Sequence, residues 1–274
     1  MDTLTYLQSI ILGVVQGLTE FLPVSSSGHL VLVPAILRWP APGLLFDTLL
    51  HWGTLGAVAA YFFDDLIGVV RDWFASVFLR RPATPQSRLG WYLIVGSVPA
   101  AIIGYLGKSY IEQLFAEPAW VGGFLLVTAA ALVASERRRR GDKDLAQMTV
   151  WDALLIGAAQ GLAVAPGLSR SGATIAVGLF LGLRRPAAAR FSFLLAVPVI
   201  LGAGGFQLME LAGAGIGDVS WGSVLVGVLA ALVSGYLCIR FLLRYLQRHS
   251  LYVFAGYCAV VGVAVLALSA AGWL

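Results

Sequence analysis

Gly13 to His29 reads GVVQGLTEFLPVSSSGH, and this stretch decides how the rest of the chain is arranged. It begins as an apolar helix and ends in a proline, three serines, a glycine and a histidine. Gln16 and Glu20 are four residues apart and share a helix face. Pro23 ends or kinks that helix. Ser25, Ser26, Ser27, Gly28 and His29 follow as a hydroxyl-rich turn, in which Gly28 lets another group approach the backbone closely. Gly157 to Thr174, GAAQGLAVAPGLSRSGAT, repeats the stretch without gaps. Gln16, Gly17, Leu18, Ser25, Ser27 and Gly28 align with Gln160, Gly161, Leu162, Ser169, Ser171 and Gly172 at one constant offset. Ser26 is replaced by Arg170. The frame is shared and the chemistry differs: one copy has an acid, a hydroxyl nucleophile candidate and an imidazole, the other a guanidinium.

The surroundings of both stretches are apolar. Of 274 residues, 59% are hydrophobic and 12% charged, where a soluble domain carries about 25% charge. Mean hydropathy is +0.87. The composition is that of an all-α integral membrane protein. The net charge of +4 reports basic loops on one side of the membrane, so no nucleic-acid partner is expected. No Lys or Arg precedes the first apolar run, which argues against a cleaved signal peptide. Cys238 and Cys258 lie in apolar runs and are expected to pack, without a disulfide or a metal.

Residues 5–22 and 29–38 are too short to cross a membrane singly, since a span needs roughly 20 residues. Together, 5–38 reads as a re-entrant helical hairpin with the turn PVSSSG. Such backbone is tolerated at membrane depth when buried in protein or lining a wet cavity. Residues 150–184 form a second hairpin with the turn PGLSRSG. Full spans are expected at 46–68, 89–107, 119–135, 188–211, 221–244 and 251–273. The segment 71–88 is a basic loop whose Trp73, Phe74, Val77 and Phe78 could lie along the interface. Loops are also expected at 108–118, with Lys108, Glu112 and Glu117, and at 212–220. Putting 71–88, 136–144, 184–190 and 240–249 in the cytoplasm satisfies the positive-inside rule. Six full transmembrane helices and two re-entrant hairpins then fit, with the first hairpin entering from outside and the second from the cytoplasm. Residues 1–144 and 145–274 are thus two halves of an inverted-topology repeat within one membrane domain, a plan shared by transporters with broken helices at a central site.

Ionisable groups at membrane depth are costly and mark function. Glu20 suits a general acid or base, or a metal ligand; the plainer alternative is a carboxylate facing the outer water. Arg170 offers a fork of donors for phosphate or carboxylate, against snorkelling to the interface. Ser169, Ser171 and the N–H groups opening the following helix would add donors for an anion. Ser26 and His29 are three apart, so one helical turn would pair hydroxyl with imidazole and activate a nucleophile. The plainer alternative is a serine-rich cap. Gln16, Ser25, Ser27 and Thr174 are candidates for hydrogen bonds to substrate. His51, in LLHWGTLG, reads as a packed or interfacial histidine, and His249 as solvated. The Arg137–Arg140 run reads as a topology signal, with lipid headgroup binding as the alternative. One carboxylate, one imidazole, several hydroxyls and one guanidinium suit phosphoryl transfer, and would also suit an anion or lipid transporter or flippase.

These motifs resemble the undecaprenyl-diphosphate phosphatase family of the bacitracin-resistance type. QGLTEFLPVSSSGH is similar to its first motif, PGLSRSGAT from Pro166 to Thr174 to its second, and FSFLLAVP at 191–198 to a further segment. The resemblance covers nearly the whole chain. It implies catalytic or binding roles for Glu20, Ser26, His29 and Arg170, and supporting roles for Gln16, Ser27, Ser169 and Thr174. Many members carry Glu where this chain has Gln16, which removes one candidate metal ligand. The resemblance implies loss of the terminal phosphate from a polyprenyl diphosphate, assisted by Mg²⁺ or Ca²⁺. It further implies a bacterial plasma membrane, supply of lipid carrier for cell-wall peptidoglycan and bacitracin resistance. An outward-entering first hairpin puts the reaction on the outer, periplasmic side. A homodimer is compatible with this. SSSGH also resembles a loop of the phosphatidic-acid-type phosphatases, but the histidine expected six residues after the arginine is Ala176 here.

Overall fold

The structure, a computed structural model, describes residues 4–114, 118–138, 141–214 and 220–274. Glu117, Arg139, Arg140 and most of the 212–220 connection, discussed above, lie outside the described residues, as do the side chains of Lys108 and Glu112. The described residues form eleven α-helices and one 3-10 turn at Leu145–Gln147, without a named strand.

The first hairpin is α1 (Tyr6–Phe21) and α2 (Ser26–Leu37). Thr5 caps α1 in a reciprocal box with Gln8, satisfying two otherwise unpaired N–H groups. With 16 and 12 residues, these helices reach about 24 and 18 Å at 1.5 Å per residue, short of a bilayer core. The chain continues through α3 (Leu44–Tyr61), α4 (Phe63–Phe78), α5 (Pro85–Leu114) and α6 (Pro118–Arg138). The second hairpin is α7 (Val150–Leu162) and α8 (Arg170–Phe180), followed by α9 (Arg185–Ala214), α10 (Trp221–Tyr245) and α11 (Tyr252–Ala270).

Five helices among the described residues are long and apolar enough to cross a membrane: α5, α6, α9, α10 and α11. The sixth expected span, 46–68, is not one helix. The chain bends by 81° at Phe62 between α3 and α4. Asp64 and Asp65 follow the bend in the first turn of α4, where carboxylates stabilise a new helix start and a continuing span would bury them. The segment expected as a basic loop therefore begins in helix. Phe63, Ile67, Val70, Phe74 and Val77 lie exposed along one face of α4, as in a helix lying in the interface. Trp73 packs on Gly90 and Trp91 of α5. The loop expected from 108 is helical through Leu114.

Small residues set the helix contacts. α1 lies on α10 with Gly13 against Gly227 and Gly17 against Ala231 and Ser234. α7 lies on α5 with Gly157 against Gly96 and Gly161 against Ala100. Small side chains let backbones approach where apolar burial gives no advantage over lipid. Phe21, at the end of α1, meets Phe193 of α9 edge-on at 5.2 Å in a core shared with Leu125 and Ile175. That core takes in Val24 of the first hairpin turn.

One end of the molecule is fastened by polar groups. Lys143 exchanges backbone bonds with the 182–184 turn, donating its N–H to Gly182 O at 2.9 Å and accepting from the N–H of Arg184 at 3.0 Å. Arg185 grips Glu136 with two bonds of 2.8 and 2.5 Å, and Glu136 also accepts the N–H of Leu251. This joins α6, α9 and α11. At the other end Ser223 of α10 donates to the carbonyl of Leu4, before α1.

Candidate active site

The turns of the two hairpins meet. Each is built on a capping serine: Ser25 accepts from the N–H of Gly28, and Ser169 from the N–H of Gly172. Ser25 Oγ also accepts from the N–H of Gly167, and Ser171 Oγ donates to the carbonyl of Leu22 at 3.0 Å. Gly28 faces Gly167 so closely that a Cβ at Gly28 would lie 3.2 Å from the Gly167 nitrogen. Gly167 has φ +97° and Ser25 has φ 72°; the second is a sparsely populated conformation for a residue with a side chain. Thr128 of α6 clamps the second turn, donating to Gly167 O and accepting from Ser169 N, both at 3.1 Å.

At this junction lies Glu20, whose side chain is 3% exposed. Its Oε1 is paired with the Arg170 guanidinium. Its Oε2 accepts from Ser26 Oγ at 2.5 Å and from Gln16 Nε2 at 3.1 Å. The hydroxyl, the carboxylate and the guanidinium thus form one chain across both halves. An ionised carboxylate with a cation and two further donors is satisfied at a depth where it would otherwise be very costly. Gln16 Oε1 is buried without a hydrogen-bond partner, an acceptor left open beside the carboxylate.

The other sequence candidates divide. The expected Ser26–His29 pair does not form. His29 Nδ1 donates to Ser25 O at 2.7 Å, and its Nε2 accepts from the Tyr257 hydroxyl at 2.7 Å. A backbone carbonyl can only accept, so the Nδ1 proton is fixed and the Nε2 lone pair is occupied. Ser26 meets the carboxylate instead of the imidazole. Ser25 and Ser169 spend their hydroxyls on caps and loop bracing. Ser27 lies 3.4 Å from Ser25 Oγ, and Ser171 lies 3.2 Å from Ser169 Oγ. Thr174 is fully buried and bonds Arg170 O, Ser171 O and Ser192 Oγ; it braces the start of α8.

The model of the bacitracin resistance protein BacA family matches residues 9–264. The chain belongs to that family. It is similar to a protein of Methanosphaera stadtmanae named undecaprenyl-diphosphatase, 45% identical over 97% of this chain and 99% of its own length. Proteins of the same name from Thermomicrobium roseum and Moorella thermoacetica are 44% and 43% identical, over 94% and 97% of this chain and 96% and 98% of their own lengths.

In this BacA-family chain, His51 joins the cluster and Tyr257 braces His29, neither of them assigned to the site from sequence. His51 of α3, expected as a packed or interfacial histidine, has Nε2 3.7 Å from Glu20 Oε2 and donates through Nδ1 to Asp47 O at 2.8 Å. Its side chain is 32% exposed, which makes it the open edge of the cluster. Tyr257 of α11 holds His29 and stacks on it at 5.7 Å. Both cysteines are free and buried, and their thiols point at the first hairpin: Cys238 toward Leu18 O and Cys258 toward Pro23 O. Cys238 adds a weak donor to Leu18 O, which already accepts from the N–H of Leu22 at 3.2 Å, and Cys258 gives one to a carbonyl of the turn after α1.

Proposed function

We propose that this protein removes the terminal phosphate of undecaprenyl diphosphate, with water as co-substrate, giving undecaprenyl phosphate and inorganic phosphate. Recycling of the lipid carrier for peptidoglycan synthesis and resistance to bacitracin follow from that activity. The family membership supports the substrate class. The observation that carries the chemistry is the Ser26 hydroxyl, bonded at 2.5 Å to a carboxylate that is itself paired with Arg170.

Ser26 Oγ attacks the terminal phosphorus while Glu20 Oε2 takes its proton. The bridging P–O bond breaks and polyprenyl phosphate leaves. Water then attacks the phosphoserine phosphorus, Glu20 returns its proton to the Ser26 oxygen as that P–O bond breaks, and inorganic phosphate leaves carrying the oxygen and protons of the water. Arg170 turns from Glu20 to the phosphoryl oxygens as charge develops there, the stabilisation that dominates such reactions. His29 is the other nucleophile candidate; its two occupied nitrogens favour Ser26. Gln16, Ser27, Ser171 and the N–H groups at the start of α8 face the diphosphate, while Ser25, Ser169 and Thr174 hold the turns.

A Mg²⁺ or Ca²⁺ ion fits the donors. Glu20 and the open Gln16 Oε1 are hard oxygen donors, and Mg²⁺ commonly takes one or two protein oxygens plus phosphate oxygens. Those two residues would hold it, and its charge would offset that of the diphosphate.

The same reading includes an inverted repeat of residues 1–144 and 145–274. Helix contacts support it: exchanging the halves turns the α1–α10 contact into α7–α5 and the α3–α10 contact into α9–α5, while α6–α11 and α3–α9 map onto themselves. The second hairpin opens at the end fastened by Lys143, Arg184 and Arg185, and the first toward Leu4 and Ser223. With the basic end inside, the diphosphate site opens to the outer side of a plasma membrane.

The test is phosphate release from undecaprenyl diphosphate by detergent-purified protein. Lipid movement in liposomes without phosphate release would instead favour a carrier.

A further inference from the structure

α6 and α11 touch where Gly122 meets Gly262; a Cβ on either would lie 3.0 or 2.8 Å from the other's carbonyl oxygen. Toward the C-terminus of α6 and the N-terminus of α11 they part and leave a furrow of about 640 Å³. Its walls are Ala130, Val133 and Ala134 on one side and Ala255, Gly256 and Ala259 on the other. At its mouth lie Arg137, Arg138 and Tyr252. From Ala129 to Arg138 the furrow runs about 13 Å at 1.5 Å per residue, close to half of a bilayer's hydrocarbon thickness.

The arginines at the mouth are exposed and make no ion pair among the described residues. Their neighbours differ: Glu136 pairs with Arg185 and Asp144 with Arg184. Two free guanidiniums at the interface, above an apolar channel one leaflet deep, complement one class of molecule. We propose that this furrow binds an anionic phospholipid of the leaflet around Arg137 and Arg138. The guanidiniums and the Tyr252 hydroxyl hold its phosphodiester, and one acyl chain lies along the Ala and Gly walls.

The site is outside the Glu20 cluster but shares its supports. Thr128, which clamps the turn carrying Arg170, directly precedes Ala129. Tyr257, which holds His29, directly follows Gly256. A lipid in the furrow therefore props the two helices that brace both hairpin turns.

Native mass spectrometry of the purified protein, titrated with phosphatidylglycerol or phosphatidylcholine of identical acyl chains, tests this. Wild type should retain phosphatidylglycerol roughly thirty-fold better, the ratio from two arginines at about 1 kcal/mol each. R137Q/R138Q should bring the two lipids to near equality. Gly256 has open space where a Cβ would stand, so G256L should fill the furrow without a clash and cut retention of both lipids with the arginines intact. Equal retention of the two lipids by wild type would overturn the proposal. So would undiminished selectivity in R137Q/R138Q, or full phosphatidylglycerol retention by G256L, which would make the arginines a diffuse surface charge.

Discussion

The Arg170 guanidinium and the Glu20 carboxylate, from opposite halves of the chain, form a largely buried ion pair between the turns of the two hairpins. The pair keeps the carboxylate ionised beside Ser26 and stores the guanidinium where a phosphate can claim it. R170A should reduce phosphate release by about 10²–10³-fold, the range for losing one preorganised donor. It should also destabilise the protein by about 3–5 kcal/mol, because Glu20 is left as an unpaired buried charge. R170A/E20Q should recover the stability and none of the turnover, which separates the two roles. Full activity in R170A would defeat the scheme.

Ser26 and His29 are separated by their partners, and their variants should differ accordingly. S26A removes the proposed attacking oxygen and should leave no phosphorylated protein after rapid quenching. Wild type should yield an acid-stable phosphoserine. H29A should keep measurable turnover. Because His29 and Tyr257 meet at 2.7 Å, H29A and Y257F should cost similar amounts, and the double variant little more than either. Additive losses would mean that His29 acts directly on substrate.

Gln16 lies one helical turn before Glu20, and its Oε1 has no partner. Q16E would put a stronger ligand beside Glu20. Activity of wild type should disappear with chelator and return with Mg²⁺ or Ca²⁺. Q16E should reach half-maximal activity at a lower metal concentration, since ligand charge tunes affinity for such ions. Wild-type activity that survives exhaustive chelation would remove the ion from the reaction.

Both hairpins and the meeting of Glu20 with Arg170 were legible because the repeat writes them twice. A glycine-bearing apolar stretch closed by Ser and Gly recurs at a fixed offset, and an acid in one copy answers a guanidinium in the other. The bend at Phe62 was less legible: apolar residues continue past it, and only Asp64 and Asp65 hint that the helix cannot run on through the membrane. His51 gave no local sign, since its Nδ1 bonds a backbone carbonyl and its approach to Glu20 is a tertiary fact. Tyr257 gave none, lying in an apolar run far from His29 in sequence. Ser25 and Ser169 illustrate another limit. A serine three residues before a backbone donor reads equally as a ligand or as a cap, and only the packed turn assigns it.

Gly167 tests whether the turns must interlock. Its φ of +97° is one that a side chain rarely adopts, and a Cβ there would also run into the Val121 carbonyl and come within 2.9 Å of the Val121 Cα. Its N–H reaches Ser25 and its carbonyl receives Thr128, so relief of the clash must shift the turn that carries Arg170. G167A should lower stability by about 1–3 kcal/mol, the usual cost of such strain. It should also lower kcat by an order of magnitude or more, since misplacing a positioned group by about 1 Å can cost 10²-fold. Gly205 has no atom within 4 Å of its would-be Cβ and lies within α9, so G205A should leave both quantities unchanged or slightly raise stability. Thermal melts and turnover of the two purified variants make the comparison. A G167A protein with wild-type turnover would mean that phosphate release does not depend on the contact between the hairpins.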